Sequence, residues 1–262
     1  MQLTVRAHKQ PDRSCSRAFT LVELLVVMAV LAMLIGLLLP GLAKSMAASR
    51  KFRCQVSMRS IGFDFNVFAD DTLHGDRGLD ASLSPRFRLE TFQESEYGID
   101  EFWRWGQGND THELPDSDNN DPMRCPEVAG YLTLRRGVAC RSGALSPSAY
   151  VSYTFNGRFD RVPSRRNPNR WMQATLLPSI LEASMVPLAW DVDGAQAAKR
   201  SVSPVFSAPG LDTQTGPFAG DAMWFPSDRH SGGMNVLFLD QHVEYTNHPL
   251  DESSWRWDYL AH

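Results

Sequence analysis

Four cysteines in 262 residues are few, and no two of them form a Cys-x-x-Cys pair. With no His-rich tract either, spacing alone gives no argument for zinc. The chain has no Gly-x-Ser-x-Gly, His-Glu-x-x-His, P-loop or dinucleotide fingerprint, which counts against an enzyme. Positive charge is not in excess: the formal net charge is −4. The basic residues that follow the first apolar run form one helical stripe rather than a domain-wide basic face, so no nucleic-acid partner is expected. No second long apolar run occurs, and no internal repeat apart from the Trp-Arg-Trp triplets at 103–105 and 255–257. The chain therefore crosses a membrane once at most. With 43% apolar residues it has enough material for a sizeable core outside the membrane.

What stands out is the run from Phe19 to Leu39, polar only at Thr20 and Glu23 and followed by Pro40. Twenty-one residues of helix span about 31 Å, close to the ~30 Å of a hydrocarbon core. A secretory signal peptide cut near Ala47 or Ala48 is one alternative, but its apolar region is typically about 7–15 residues and carries no carboxylate. A plain anchor is another, and it leaves Glu23 without a role. A carboxylate in a spanning helix is costly and usually has a partner and a function.

Arg17-Ala18-Phe19-Thr20-Leu21-Val22-Glu23-Leu24-Leu25-Val26-Val27 resembles the leader of type IV prepilins and type II secretion pseudopilins. The resemblance implies that a prepilin peptidase cuts between Ala18 and Phe19 and methylates the new Phe19 amine. It places the acidic residue of the motif at Glu23, the fifth mature position, and a helix proline at Pro40. Ala18 stands where the family usually has Gly. Glu23 of one subunit would then pair with the Phe19 amine of a neighbour, offsetting the desolvation of both charges and setting an axial register. The implied topology is a single span in a bacterial inner membrane, with a cytoplasmic amino terminus and an exported head. Charge does not decide it: Arg6, Lys9, Arg13 and Arg17 precede the span, and Lys44, Arg50, Lys51, Arg53 and Arg59 follow it.

The expected organisation is a basic leader over 1–18, a membrane helix over 19–39, its amphipathic continuation over 40–70, and a β-rich head over 71–262. The fold class is α+β and pilin-like. Loss of the leader leaves 22 basic and 29 acidic residues, a net charge of −7. In the continuation, Ala43, Ala47, Cys54, Met58, Ile61, Phe65 and Phe68 recur at three- and four-residue steps, a stripe that needs a sheet to cover it. Pro40 is expected to kink the helix or lift it away from the membrane. Cys15 goes with the leader, leaving Cys54, Cys125 and Cys140 in an exported, oxidising compartment. Cys54–Cys125 would staple helix to head and Cys125–Cys140 would staple one loop; the first is preferred.

In the head, strand-like runs occur at 150–155, 186–190, 234–239 and 242–246; residues 90–105 suit a short helix or strand, and 106–122 a surface loop. The last two runs predict a hairpin over 234–246 around an Asp240-Gln241 turn. The stretch from His230 to Gln241 resembles the His-x9-Asp-Gly (H-X9-DG) signature of planctomycete-type prepilin-like proteins. His230 and Asp240 match that signature, and Gln241 replaces its glycine. His230 suits a bracing role in the sheet; the sharper alternative is a metal or catalytic pairing with Asp191, Asp193, Asp221, Asp228 or His242. Asp116, Asp118 and Asp121 alternate oxygen donors as a Ca²⁺ loop would, but lack the EF-hand glycine and distal Glu, so a solvated acidic loop competes. The Trp-Arg-Trp triplets suit either a carbohydrate platform or strand core.

These features imply a pilin-like structural subunit of a type II secretion or type IV pilus-like filament, with prepilin peptidase and other pilin subunits as partners. The competing reading is a membrane-tethered binding or hydrolytic domain that uses the leader for export.

Overall fold

The computed structural model describes residues 19–70, 86–97, 111–113, 124–128, 133–135, 145–146, 151–164, 166–167, 169–202, 204–210 and 216–257. It divides into two compact units, the first ending at Met46 and the second starting at Ala47. The second unit thus begins inside the long helix. The reason is the apolar stripe, which is buried from Cys54 onward and so belongs to the head.

In the first unit, helix α1 (Leu21–Ala69) runs without interruption through Pro40. Seventeen large apolar side chains from Phe19 to Leu42 are each 48–86% exposed. None of this apolar stretch is buried, so by length and composition the helix can cross a membrane.

In the second unit, α1 buries Cys54, Met58, Ile61, Gly62, Phe65, Phe68 and Ala69, whereas Ala43 is exposed and Ala47 only half-buried. The stripe covers one face of a five-stranded sheet in the order β10 (Val243–Thr246), β9 (Met234–Phe238), β7 (Pro187–Asp191), β4 (Tyr153–Asn156), β8 (Phe206–Ser207). Neighbours are antiparallel except the parallel pair β4–β8. Helix α2 (Leu89–Tyr97) supplies Leu89 and Phe92 to the same core. Phe65 meets Phe92 edge-on at 5.2 Å, and Phe68 meets Phe87 at 5.7 Å. Gly62 permits a close approach of helix to sheet: a Cβ there would lie 2.9 Å from Leu237 Cδ1.

The opposite face carries Trp190, Trp224, Met234, Val236, Phe238, Trp255 and Trp257. Trp190 and Trp257 cross at 5.2 Å, and Trp224 and Trp257 at 5.1 Å. The second Trp-Arg-Trp triplet is therefore core rather than a sugar platform; the first lies outside the described residues. Because both faces are covered, β7 and β9 are buried at every position. That explains why both strands are mostly apolar rather than alternating, with Asp191 and Asn235 as the buried polar exceptions. The layout is α+β, a long amino-terminal helix with a β-rich region after it, consistent with a pilin-like fold.

Three short strands, β1 (Thr111–Glu113), β2 (Thr133–Arg135) and β3 (Leu145–Ser146), form an antiparallel sheet. The first lies within the segment read as a loop: its three residues pair antiparallel with β2 as an edge strand. Strands β5 (Arg161–Pro163) and β6 (Trp171–Gln173) pair separately. The helical turn α3 (Gly194–Lys199) is capped by Asp193.

The hairpin is present, with a longer turn than a two-residue one. Val243 pairs with Leu237 and Thr246 with Met234. The Phe238 carbonyl accepts from Gln241 N at 3.0 Å, and Phe238 N donates to the His242 carbonyl at 3.0 Å. Gln241 takes the left-handed conformation, φ 70°, that a glycine would supply in this kind of turn.

Candidate functional site

Two local arrangements carry chemistry, one in each unit. At the start of α1, the Thr20 hydroxyl accepts from Glu23 N at 3.2 Å. Glu23 Oε2 accepts in return from Thr20 N at 2.9 Å and Thr20 Oγ1 at 2.8 Å. Thr20-x-x-Glu23 is thus a capping box, which satisfies two of the amide donors that a helix start leaves open. Both bonds to the carboxylate fall on Oε2, so among the described residues Oε1 has no partner within the chain. The pattern was legible in the sequence as Thr followed three residues later by Glu, ahead of an apolar run. Phe19 is exposed; Ala18 lies outside the described residues.

In the head, the register places Tyr153 beside Asp191 on β4 and β7, and Asn235 on β9 follows in the same row. This row lies under Cys54 and Gln55 of α1. Asp191, fully buried, accepts from Asn235 N at 2.8 Å and Asn235 Nδ2 at 2.9 Å on Oδ2. Its Oδ1 accepts from Arg229 Nη2 at 3.2 Å. Arg229 also donates to the carbonyls of Val192 and Ser152, at 2.6 and 2.7 Å. Gln55 Nε2 donates to Asn235 Oδ1 at 3.1 Å.

His230 enters from the loop before β9. Its backbone N donates to the Gly233 carbonyl at 3.2 Å. The reversal uses left-handed Ser231 and Gly232, φ 60° and 85°. Gly233 is held bare because a Cβ would strike the Thr246 carbonyl at 2.5 Å. The imidazole is buried: Nε2 lies 3.5 Å from Cys125 Sγ and 3.5 Å from Asp191 Oδ2, and Nδ1 lies 3.4 Å from Glu127 Oε2. That last approach is in ion-pair reach but not in hydrogen-bond geometry. Glu127 Oε1 meets Arg50 Nε at 3.3 Å.

One sulfur or oxygen or nitrogen from each of Cys54, Cys125, Asp191 and His230 lies within 4.8 Å of every other, and all four residues are buried. The electrostatics follow from that crowding. The Cys125 thiol is lowered, first by hydrogen bonding with Cys54 and then by His230 and the Arg229 charge, against burial. Cys54 is the proton-holding partner, raised by the bond to Cys125 and by burial. Burial raises Asp191 against the pull of Arg229 and His230. Burial opposes the His230 imidazolium, but Cys125, Asp191 and Glu127 outweigh it and the pKa rises.

The structure brings together His230 and Asp191 from the candidate pairings and separates the rest. Asp193 caps α3, Asp221 Oδ1 accepts from Gly210 N at 2.6 Å, and Asp228 offers its carbonyl to Gly232 N. Asp240 does not join His230; it braces the hairpin turn through His242 Nδ1, and His242 stacks on Phe238 at 4.2 Å. Cys54 and Cys125 come together as preferred, yet both are free thiols rather than the expected bridge. Cys140 and the candidate calcium ligands Asp116, Asp118 and Asp121 lie outside the described residues. Sequence reasoning missed Glu127, Arg229 and Asn235. Arg229 sits next to His230 and Glu127 follows Cys125-Pro126, but only the fold shows which way each side chain turns.

A family model described as the prokaryotic N-terminal methylation motif matches residues 13–39. No curated protein and no solved structure matches the chain. The match supports a type IV pilin-like prepilin. The exposed apolar part of α1 is compatible with a single-pass inner-membrane anchor.

Proposed function

We propose that the protein is a pilin- or pseudopilin-like structural subunit of a filament. A prepilin peptidase trims it at Ala18–Phe19 and methylates Phe19. The observation that carries this reading is the coincidence of the methylation-motif match over 13–39 with an exposed apolar helix that opens on Glu23. The capping box refines the role of that carboxylate. Oε2 holds the helix start, and Oε1 is available to the Phe19 amine of a neighbouring subunit in the filament core. One side chain thereby fixes its own helix end and the axial register between subunits.

The head is proposed to be structural and non-catalytic. Its cluster of Cys54, Cys125, Asp191 and His230 is buried between helix and sheet, which leaves no approach for a substrate to those four groups. The type of filament, secretion pseudopilus or pilus, would follow from the subunits it assembles with. Mass spectrometry of the amino terminus of membrane-extracted protein tests the reading. An N-methylated Phe19 is expected; an intact leader or a cut near Ala47 contradicts it.

A further inference from the structure

We propose that Cys54, Cys125, His230 and Asp191 hold one Zn²⁺ ion that clamps the second half of α1 to the sheet. Tetrahedral zinc has Zn–S distances of about 2.3 Å and Zn–N or Zn–O distances of about 2.0–2.2 Å, so its S···N edges are about 3.6 Å and its N···O edges about 3.4 Å. The observed Cys125 Sγ–His230 Nε2 and His230 Nε2–Asp191 Oδ2 separations are both 3.5 Å. No separation in the group exceeds 4.8 Å, about 1 Å beyond a tetrahedral S···S edge, which small side-chain rotations close.

The hydrogen bonding favours a cation at this point. His230 Nε2 faces a sulfur and a carboxylate oxygen at once, and a neutral imidazole has at most one hydrogen to give in that direction. A metal on Nε2 satisfies both neighbours and leaves the proton on Nδ1, aimed at Glu127. Nδ1 is buried and in no hydrogen bond in the metal-free geometry, and Glu127 is 3.4 Å away. That is the carboxylate–histidine–metal arrangement that orients an imidazole ligand. Two thiols release their protons as the ion binds, and two thiolates neutralise its charge. Arg229 continues to hold Asp191 through the other oxygen, Oδ1. Two sulfurs, one imidazole and one carboxylate with all four places filled suit structural zinc rather than Ca²⁺ or Mg²⁺, which take oxygen ligands.

The four ligands come from four chain segments: α1, the turn at 124–128, β7 and the loop before β9. A metal there ties together elements that local propensity does not.

The test uses the full chain, purified in detergent without chelator or metal-affinity steps. Elemental analysis is expected to find about one zinc per chain. Cys54→Ser, Cys125→Ser and His230→Gln are each expected to lose it. EDTA should lower the thermal midpoint of the wild type and added Zn²⁺ restore it, while a reductant alone leaves it unchanged. Co²⁺ in place of Zn²⁺ should give the absorption of a tetrahedral thiolate site. Metal-free protein whose mass is lower by two hydrogens across a Cys54–Cys125 disulfide, with a midpoint that responds to reductant and not to EDTA, overturns the proposal. So does a metal-free wild type with both thiols reduced. The wild-type measurements decide the matter even if a variant does not fold.

Discussion

In residues 19–46 one carboxylate stands among side chains that are all exposed, and it is satisfied by a hydroxyl and an amide three residues away. From Ala47 onward the enclosed groups around Asp191 and His230 find their partners far along the chain, 38 residues apart for Arg229–Asp191 and 105 for Cys125–His230. The two units of one chain therefore obey different rules. In the first, polar satisfaction is local and the apolar surface is exposed. In the second, apolar surface is consumed internally and polar satisfaction depends on the whole fold.

The largest expected effect separates the two jobs of Glu23. Glu23→Ala removes both cap and charge, and filament assembly is expected to be lost while membrane insertion persists. Glu23→Gln can keep the capping box but carries no charge. If the charge pair drives assembly, Gln fails as Ala does in co-assembly cross-linking; if helix capping is what counts, Gln assembles normally.

Next is the buried pair in the head. Arg229→Met strips the partner from Asp191 Oδ1 and breaks a buried ion pair, a loss of about 3–5 kcal/mol. Tryptophan fluorescence during urea unfolding reads this out, since Trp190, Trp224, Trp255 and Trp257 all lie in the head.

A comparison along one helix sharpens the contrast between units. Phe65→Ala empties a fully buried site against Phe87 and Phe92, and is expected to cost the head about 3–5 kcal/mol. Leu34→Ala, on the same helix at 52% exposure, should move head unfolding by no more than about 0.5 kcal/mol. Equal effects would mean that the units are not separate.

The smallest effect depends on pH. Asp160 is buried, and burial raises its carboxyl from the ordinary 3.8 to about 6 despite Arg161. The folded state therefore holds this proton more tightly than the unfolded chain. Stability from this group is present below pH ~4 and is lost as pH rises through about 6. Asp160→Asn should match wild type near pH 4 and exceed it at pH 8 by up to about 3 kcal/mol. A gain independent of pH would contradict the assignment.

Much of the first unit could be read directly, because its signals are contiguous: the apolar run, Glu23 within it, and Thr20 three residues before. In the head, the stripe from Cys54 to Phe68 and the 234–246 hairpin followed from periodicity. The turn length did not, because Gln241 adopts a conformation its type seldom takes. The cluster around His230 was half visible, with Asp191 among five candidates. Nothing local distinguishes Asp191 from Asp193. Strand β7 ends in register with Tyr153, and that pairing alone turns Asp191 inward. The same holds for Cys54 and Cys125, whose meeting depends on α1 lying across the sheet.

The claim on which the rest depends is that Glu23 is neutralised by the amine of another subunit. A density map of the assembled filament at side-chain resolution tests it most directly. A Phe19 nitrogen within about 4 Å of a neighbour's Glu23 carboxylate is the predicted result. A separation of more than a helix diameter, ~10 Å, would contradict it.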